Sequence, residues 1–155
     1  TRRFREAFGK INGYFADCYE KLFGGGRARL RILDEKNLLE SGIDIEAQPP
    51  GKKMRNLSLF SGGERALTVI ALLFALLTYQ PAPFVILDEI DAPLDETNID
   101  RFAQFLKAYG QKTQFIVITH RKGTMEAADV LHGVTMEESG VSRVLSVKLS
   151  EVAES

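Results

Sequence analysis

Two short segments in the middle of the chain carry residue types that suit phosphate chemistry. Residues 59–65 read LFSGGER, and an apolar run over residues 84–87 ends in Asp88 and Glu89. A glycine-rich turn before a helix and carboxylates after a strand are typical of ATP-hydrolysing sites. The usual phosphate loop, G-x-x-x-x-G-K-S/T, is absent from these 155 residues. The sequence therefore predicts part of an ATPase site, with the remaining parts on other polypeptide segments.

The first segment can form an anion site at the start of a helix. Ser61 can cap the following helix, and Gly62 and Gly63 leave its first backbone amides uncovered. The start of a helix carries about half a positive charge, so amides, hydroxyl and dipole together attract a phosphate. A plain capped helix would have the same sequence, so this segment alone leaves both interpretations open.

The second segment supplies two carboxylates with separable roles. Because successive residues at a strand end point in opposite directions, Asp88 and Glu89 can face different groups. One can hold Mg²⁺ through its waters, and the other can act as general base on a water aimed at a phosphate. Asp91 and Asp95 follow in the same turn, and such a cluster of acids is unfavourable without a cation or distant partners. We therefore favour a functional site over two acids that merely end a strand.

A histidine is expected to join these carboxylates. Residues 115–118 form a second apolar run, which Thr119 and His120 follow. The C-terminal ends of neighbouring parallel strands lie at one edge of a sheet, where ligands bind. His120 is therefore expected near Asp88 and Glu89, within reach of a terminal phosphate.

The elements that must hold these residues follow from the spacing of apolar residues. A three- to four-residue repeat predicts an N-terminal helix over residues 4–22, ended by three consecutive glycines. Two-residue alternation predicts a peripheral antiparallel meander, whereas unbroken apolar runs predict parallel strands buried on both faces. The expected segments are strands 28–33, 43–47, 83–87 and 115–118, helices 62–77 (largely buried), 98–109 and 122–128, and a closing hairpin of 130–136 with 141–149. This order predicts an α/β fold with mainly parallel central strands flanked by helices and with peripheral antiparallel strands.

Composition narrows the class of protein. A hydrophobic content of 45% and a charged content of 26% are those of an ordinary globular domain of this length. The net charge of −1 gives no whole-chain attraction to nucleic acid, and three basic clusters (residues 2–5, 27–31 and 52–55) are most simply solvated faces. The single cysteine excludes an internal disulfide, and no leader pattern is visible, so we expect a cytoplasmic protein.

In this order the motifs resemble those of the ATP-binding-cassette superfamily. Residues 61–64 look like its signature motif, 84–89 like its Walker B strand, 92–95 like its D-loop, and 119–120 like its histidine switch. The longer runs LDEIDAPLD (87–95) and THRKGTME (119–126) are similar to the C-terminal head segment of structural-maintenance-of-chromosomes (SMC) proteins, the bacterial condensin type above all. The likeness covers essentially the whole chain.

This resemblance implies a division of labour. Residues 1–23 would be the root of a coiled-coil arm and 24–155 an ATPase lobe, while the Walker A loop would lie on an N-terminal segment of the same protein. Two complete heads would sandwich two ATP molecules. The implied site residues are Ser61, Gly62, Gly63 and Glu64 for the ATP of the opposite head, Asp95 as a bridge between heads, Asp88 for Mg²⁺, Glu89 as general base, and His120 at the terminal phosphate.

The resemblance also implies cofactors and partners. ATP and Mg²⁺ would be the cofactors of a chromosome condensation and segregation ATPase in the cytoplasm, associated with the nucleoid. Partners would be the N-terminal head segment, a second head in an ATP-dependent homodimer, a kleisin subunit at the C-terminal lobe, and DNA, with no membrane. The isolated chain is expected to be inactive, because it lacks the Walker A loop.

Two departures and three alternatives accompany the resemblance. Phe60 stands where leucine is most common, and Pro93 stands where a small residue is usual. A transporter ATPase would carry Walker A on the same domain, and commonly glutamine and proline where Glu64 and Ile90 stand here. The related double-strand-break repair ATPase differs around residues 119–126. A scaffold lobe that never contacts ATP is disfavoured for the full-length protein by the acids of residues 88–95, but it stays an alternative for the isolated chain.

Overall fold

The computed structural model describes residues 2–148, apart from the side chains of residues 137 and 138. Four helices, seven strands and one 3₁₀ turn follow one another within that range. In chain order they are α1 (Arg2–Phe23), β1 (Arg27–Ile32), β2 (Ile43–Gln48), β3 (Arg55–Asn56), the 3₁₀ turn (Leu57–Leu59), α2 (Gly62–Tyr79), β4 (Phe84–Asp88), α3 (Glu96–Tyr109), β5 (Gln114–Ile118), α4 (Lys122–Glu126), β6 (Val130–Glu138) and β7 (Val141–Lys148). Each predicted helix and strand is present within a few residues of its expected bounds.

The N-terminal helix α1 turns its apolar stripe toward the core. Phe15, Tyr19 and Leu22 are fully buried, because residues spaced three or four apart share one helix face. The three glycines that follow Phe23 all have positive φ, and they end the helix as predicted. Asn12 adds a polar link: its side-chain amide both accepts from the Leu30 N–H at 2.7 Å and donates to the Leu30 carbonyl at 3.2 Å.

The strands form three small sheets. β1, β2 and β3 make an antiparallel meander, β4 and β5 make a parallel pair, and β6 and β7 make an antiparallel hairpin. The meander includes β3, which the sequence pattern missed because two residues are too few to show alternation. The predicted end of the last strand, residue 149, lies outside the described residues.

Two of the three arginines of one basic cluster pair with acids within the meander. Arg29 and Arg31 face Glu46 and Asp44 across the β1–β2 pair, and the Arg29 guanidinium lies 2.6 Å from a Glu46 oxygen. Opposite charges on facing strands stabilise a sheet modestly when they are exposed to water. This arrangement agrees with a solvated face.

Helix α2 is buried along one side only. Leu67, Ile70 and Phe74 join the core, where the Phe74 ring contacts aromatic rings of α3 and β5. Val69 and Leu76, on the other side, are 50% and 46% exposed. Six of the 18 helix residues are buried, so the prediction of a largely buried helix holds only for its inner side. By length and composition alone α2 could cross a membrane, which is weak evidence because core helices pass the same test.

The parallel pair β4–β5 is covered on one face, although both faces were predicted to be buried. Leu87 and its neighbours on the inner face pack with the core. On the other face Phe84, Ile86, Ile116 and Ile118 are each about half exposed, from 46% to 58%. The reason is geometric: alternate residues of a strand point to opposite faces, and the helices of this chain cover only one of them. We call these four residues the open face.

Candidate active site

The two loops predicted to carry the chemistry leave the parallel strand pair at the same edge. β4 and β5 align Asp88 with Ile118, and the backbone N–H of Glu89 donates to the Ile118 carbonyl at 2.9 Å. His120 follows, and its Nδ1 lies 3.7 Å from Glu89 Oε1. Both side chains are well exposed, at 65% for His120 and 61% for Glu89. The structure thus brings the predicted base and the predicted phosphate contact together at an open edge.

Glu89 has a backbone conformation that residues other than glycine rarely adopt. Its φ is 48°, the one positive value of a non-glycine residue in the described part of the chain. The Glu89 carbonyl accepts from the Ala92 N–H at 3.1 Å, so a tight turn begins there. A strained residue of this kind costs of order 1–3 kcal/mol and is found preferentially at functional sites. The turn keeps Glu89 at the sheet edge.

Asp88 is the last residue of β4, and its side chain is exposed. Within residues 2–148 no group of three or more His, Cys, Asp or Glu side chains converges as a metal site. Mg²⁺ usually keeps several waters and takes only one or two carboxylates together with substrate phosphates. A single exposed carboxylate next to the Glu89–His120 pair fits that mode of binding, and Asp88 would be the protein ligand.

The glycine-rich segment begins α2 with a reciprocal cap. Ser61 Oγ accepts from the Glu64 N–H at 3.3 Å, while the Ser61 N–H and hydroxyl donate to Glu64 Oε2 at 3.3 and 3.1 Å. Lys52 Nζ lies 2.7 Å from Glu64 Oε1. The pKa of Glu64 is lowered below its ordinary value of 4.5, first by Lys52 and then by the bonds from Ser61. Both Glu64 oxygens thus have partners within the chain, Lys52 at Oε1 and Ser61 at Oε2.

Ser61 and Asp95 line one cleft. The cleft has a volume of about 440 Å³, and Lys52 and Arg101 are also among the residues around it. Asp95 caps α3, where its Oδ1 accepts from the Asn98 N–H at 2.8 Å. Asp88, Glu89 and His120 are not part of this cleft. The predicted site residues therefore divide into a signature group (Ser61, Gly62, Gly63, Glu64, Asp95) and an edge group (Asp88, Glu89, His120).

Asp91 is the residue that the sequence pattern misjudged. It was expected to crowd the other acids, yet only 1% of its surface is exposed, and Oδ2 accepts from Thr119 Oγ1 at 2.7 Å and Thr124 Oγ1 at 2.5 Å. The crowding is relieved because Asp91 is buried among hydroxyl donors and Asp95 caps a helix. Two threonines placed just after the next strand were the available signal, since hydroxyls there can face an acid on the adjacent loop.

The chain is similar in sequence to one protein family and to bacterial chromosome partition proteins. The family described as RecF/RecN/SMC N terminal domain matches residues 28–143. Chromosome partition protein Smc of Bacillus subtilis (strain 168) is 63% identical over 154 residues, which are 99% of this chain and 13% of that protein. The same protein of Halothermothrix orenii is 57% identical over 148 residues, 96% of this chain and 12% of the relative. This chain therefore spans about an eighth of the length of the relatives that it matches.

A solved structure from work on ATP-driven dimerization and DNA stimulated activation of SMC ATPases superposes over nearly the whole chain. Its TM-score is 0.87 at 40% identity, and the match covers 99% of this chain and 92% of that one. A second, an SmcHead bound to the C-winged helix domain of ScpA, gives a TM-score of 0.84 at 41% identity, with 95% of this chain and 45% of that one covered.

Proposed function

The chain belongs to the RecF/RecN/SMC family, and on that premise we propose that it is the C-terminal lobe of an SMC ATPase head. In this proposal α1 is the root of a coiled-coil arm, residues 24–155 form the ATPase lobe, and an N-terminal segment of the same protein supplies the Walker A loop. Two complete heads bind and hydrolyse ATP between them, and this drives chromosome condensation and segregation.

The separation of the two groups of site residues carries this proposal. The cleft contains Ser61 and Asp95, whereas Glu89 and His120 stand at the end of β4 and β5. One lobe thus offers its two groups at different places, and two lobes related by a twofold axis could complete two equal sites. Each ATP would then meet Glu89 of one head and Ser61 of the other, with Asp95 near the boundary between them.

The edge group suits hydrolysis of a terminal phosphate. The exposed Glu89 carboxylate can orient an attacking water and accept its proton. Because His120 Nδ1 faces Glu89, the opposite ring nitrogen, Nε2, is left to contact a phosphate oxygen. Asp88 can hold a hydrated Mg²⁺, which when bound neutralises charge on the phosphates.

The open face supports the presence of an N-terminal segment in the complete head. Four large apolar side chains on one side of a two-stranded parallel pair form a surface that α/β folds normally cover with a further layer. The strand pair is also too narrow to be stable alone, since parallel sheets ordinarily have more strands. We propose that the segment carrying Walker A covers this face and extends the sheet.

The remaining partners rest on the family and on exposed surface. The hairpin β6–β7 exposes apolar side chains along both strands, among them Val134, Met136 and Val144. We propose this hairpin as the kleisin site of the lobe, since a related head was solved with the C-winged helix domain of ScpA. DNA binding by the full complex, in the cytoplasm at the nucleoid, completes the proposal.

The experiment that tests the proposal compares two variants of the complete protein. Ser61→Arg should leave ATP binding by a single head intact and block head–head association, because the bulky side chain stands where the opposite ATP would lie. Glu89→Gln should keep both ATP binding and head–head association but slow hydrolysis. ATP-bound dimers should therefore accumulate while turnover falls by roughly a hundredfold or more. ATP affinity, dimer fraction and ATP turnover are measured for both.

Two results would contradict this assignment. A large loss of single-head ATP affinity in Ser61→Arg would mean that Ser61 serves the ATP of its own head. Normal turnover by Glu89→Gln would mean that Glu89 is not the base. A matched control is Glu96→Gln, which changes an exposed carboxylate in the first turn of α3 and should behave as wild type.

A further inference from the structure

We propose that Asp91 is a positioning residue for ATP hydrolysis, which holds the loop carrying Glu89 and the loop carrying His120 in one fixed arrangement. The inference rests on the proposed function, since it assigns Asp91 to the reaction at that edge. Asp91 does not contact the reacting groups, because its side chain is buried beneath the loops. It acts through the residues on either side of His120.

The first link joins the two loops directly. Asp91 Oδ2 accepts from Thr119, the residue before His120, and from Thr124 on α4. The Thr119 oxygen in turn accepts from the backbone N–H of Arg121, the residue after His120, at 2.9 Å. The backbone around His120 is therefore fixed by a chain of hydrogen bonds that begins at Asp91.

A second link joins the loop that carries His120 to the C-terminal end of the loop that carries Glu89. The Arg121 guanidinium donates to the Leu94 carbonyl at 2.7 Å, directly before the Asp95 cap of α3. Gly123 of α4 then packs so closely on α3 that an added Cβ would stand 2.6 Å from an Ile99 methyl group. Two hydrogen-bonded links and one tight helix contact thus leave the loops little freedom to move separately.

The hydrogen-bond donors around Asp91 show whether the link between the loops needs its acceptor oxygen or its negative charge. Both donors are neutral hydroxyl groups, and Oδ1 accepts no hydrogen bond from the part of the chain that the structure describes. Burial of a carboxylate with such partners does not favour stability. One oxygen that accepts two hydroxyl donors at once is, however, what aligns Thr119 with Thr124. The required feature is therefore the acceptor oxygen and not the negative charge.

The test compares Thr124→Val with Thr124→Ser in the complete protein. Thr124 is 4% exposed and nearly isosteric with valine, and serine keeps the hydroxyl that bonds Asp91. Loss of the bond should lower kcat by roughly tenfold to a hundredfold, because small misplacements of catalytic groups cost that much. KM for ATP and ATP-dependent dimer formation should not change, and Thr124→Ser should keep kcat within about threefold of wild type.

A second pair at Asp91 tests the same link if Thr124→Val does not fold. Asp91→Leu removes the acceptor and should give the same selective fall in kcat, whereas Asp91→Asn keeps one oxygen and should retain most of the turnover. Asp91→Leu combined with Thr124→Val should be no slower than Asp91→Leu alone, because Asp91→Leu already removes both hydrogen bonds, including the one that Thr124→Val breaks.

Several outcomes would overturn the inference. They are a wild-type kcat in folded Thr124→Val, an equal loss in the valine and serine variants, or a raised KM with an unchanged kcat. Absence of ATP turnover in the wild-type protein would overturn the proposed function as well, and so the two failures are distinguishable.

Discussion

The carbonyl oxygen of Pro93 lies 3.3 Å from the point where a Cβ on Gly63 would stand. The first turn of α2 therefore packs directly on the loop between β4 and α3. Because these two segments touch within one lobe, the glycines of the signature group and the proline of the D-loop-like segment form a single surface. A side chain at position 63 would press on the Pro93 carbonyl, while the Cβ of one at position 62 would meet nothing within 4 Å.

We expect Gly63→Val to lower the free energy of unfolding by about 1–3 kcal/mol, because the branched side chain cannot fit beside Pro93. Gly62→Ala is the matched control, and it should leave stability unchanged or raise it by up to about 1 kcal/mol, since alanine favours a helix over glycine. Thermal or denaturant unfolding of the two variants measures the difference. Equal stability of both variants would mean that a side chain at position 63 fits beside Pro93.

The strained backbone of Glu89 predicts a conflict between stability and activity. Glu89→Gly should abolish turnover yet unfold at a higher temperature than Glu89→Gln, because glycine adopts the positive φ without strain. The expected gain is about 1 kcal/mol relative to the glutamine variant, which keeps the strain and lacks the charge. Calorimetric melting of the two variants under one set of conditions makes the comparison. A less stable glycine variant would show that the conformation is not costly.

The depressed pKa of Glu64 predicts a pH-dependent contribution to stability. The folded pKa lies below the unfolded value, so the stabilisation is complete above the unfolded pKa and is lost as pH falls through the folded one. In the wild-type protein the free energy of unfolding should therefore drop more steeply than in Glu64→Gln as the pH falls below about 5. Unfolding followed at several pH values in each protein tests this. If the free energy of unfolding falls equally with pH in both proteins, the Lys52–Glu64 pair does not cause the pH dependence.

The open face predicts where a charge would stop assembly of the head. Ile86→Lys should prevent association with the N-terminal segment, because the 58% exposed side chain lies at the centre of the apolar surface. Leu39→Lys is the control: Leu39 is 69% exposed and lies in the connection between β1 and β2, away from that face. Co-purification of the two segments gives the readout. Normal co-purification of Ile86→Lys would place the N-terminal segment elsewhere.

The elements, and the meeting of Glu89 and His120 at one sheet edge, could be predicted from the sequence because both depend on local pattern. Unbroken apolar runs identified β4 and β5, and their parallel order was enough to bring His120 to Glu89. Burial was harder to predict. Ile86 and Ile118 are residues of the type that fills core strands, but no other element of residues 2–148 covers them. Asp91 was misjudged for a related reason, since its threonine partners are distant in sequence and only the folded chain brings them together.

The Asn12 side chain makes the two hydrogen bonds to Leu30 that a residue of a neighbouring strand would make. Its amide occupies the N–H and the C=O of Leu30, the pair of groups that an additional strand would need at the outer edge of β1. Exposed strand edges invite pairing with other molecules, and natural proteins cover or interrupt them. A single side chain from the helix therefore closes the middle of this edge to intermolecular sheet growth, and it also obliges β1 to follow any change in the tilt of α1.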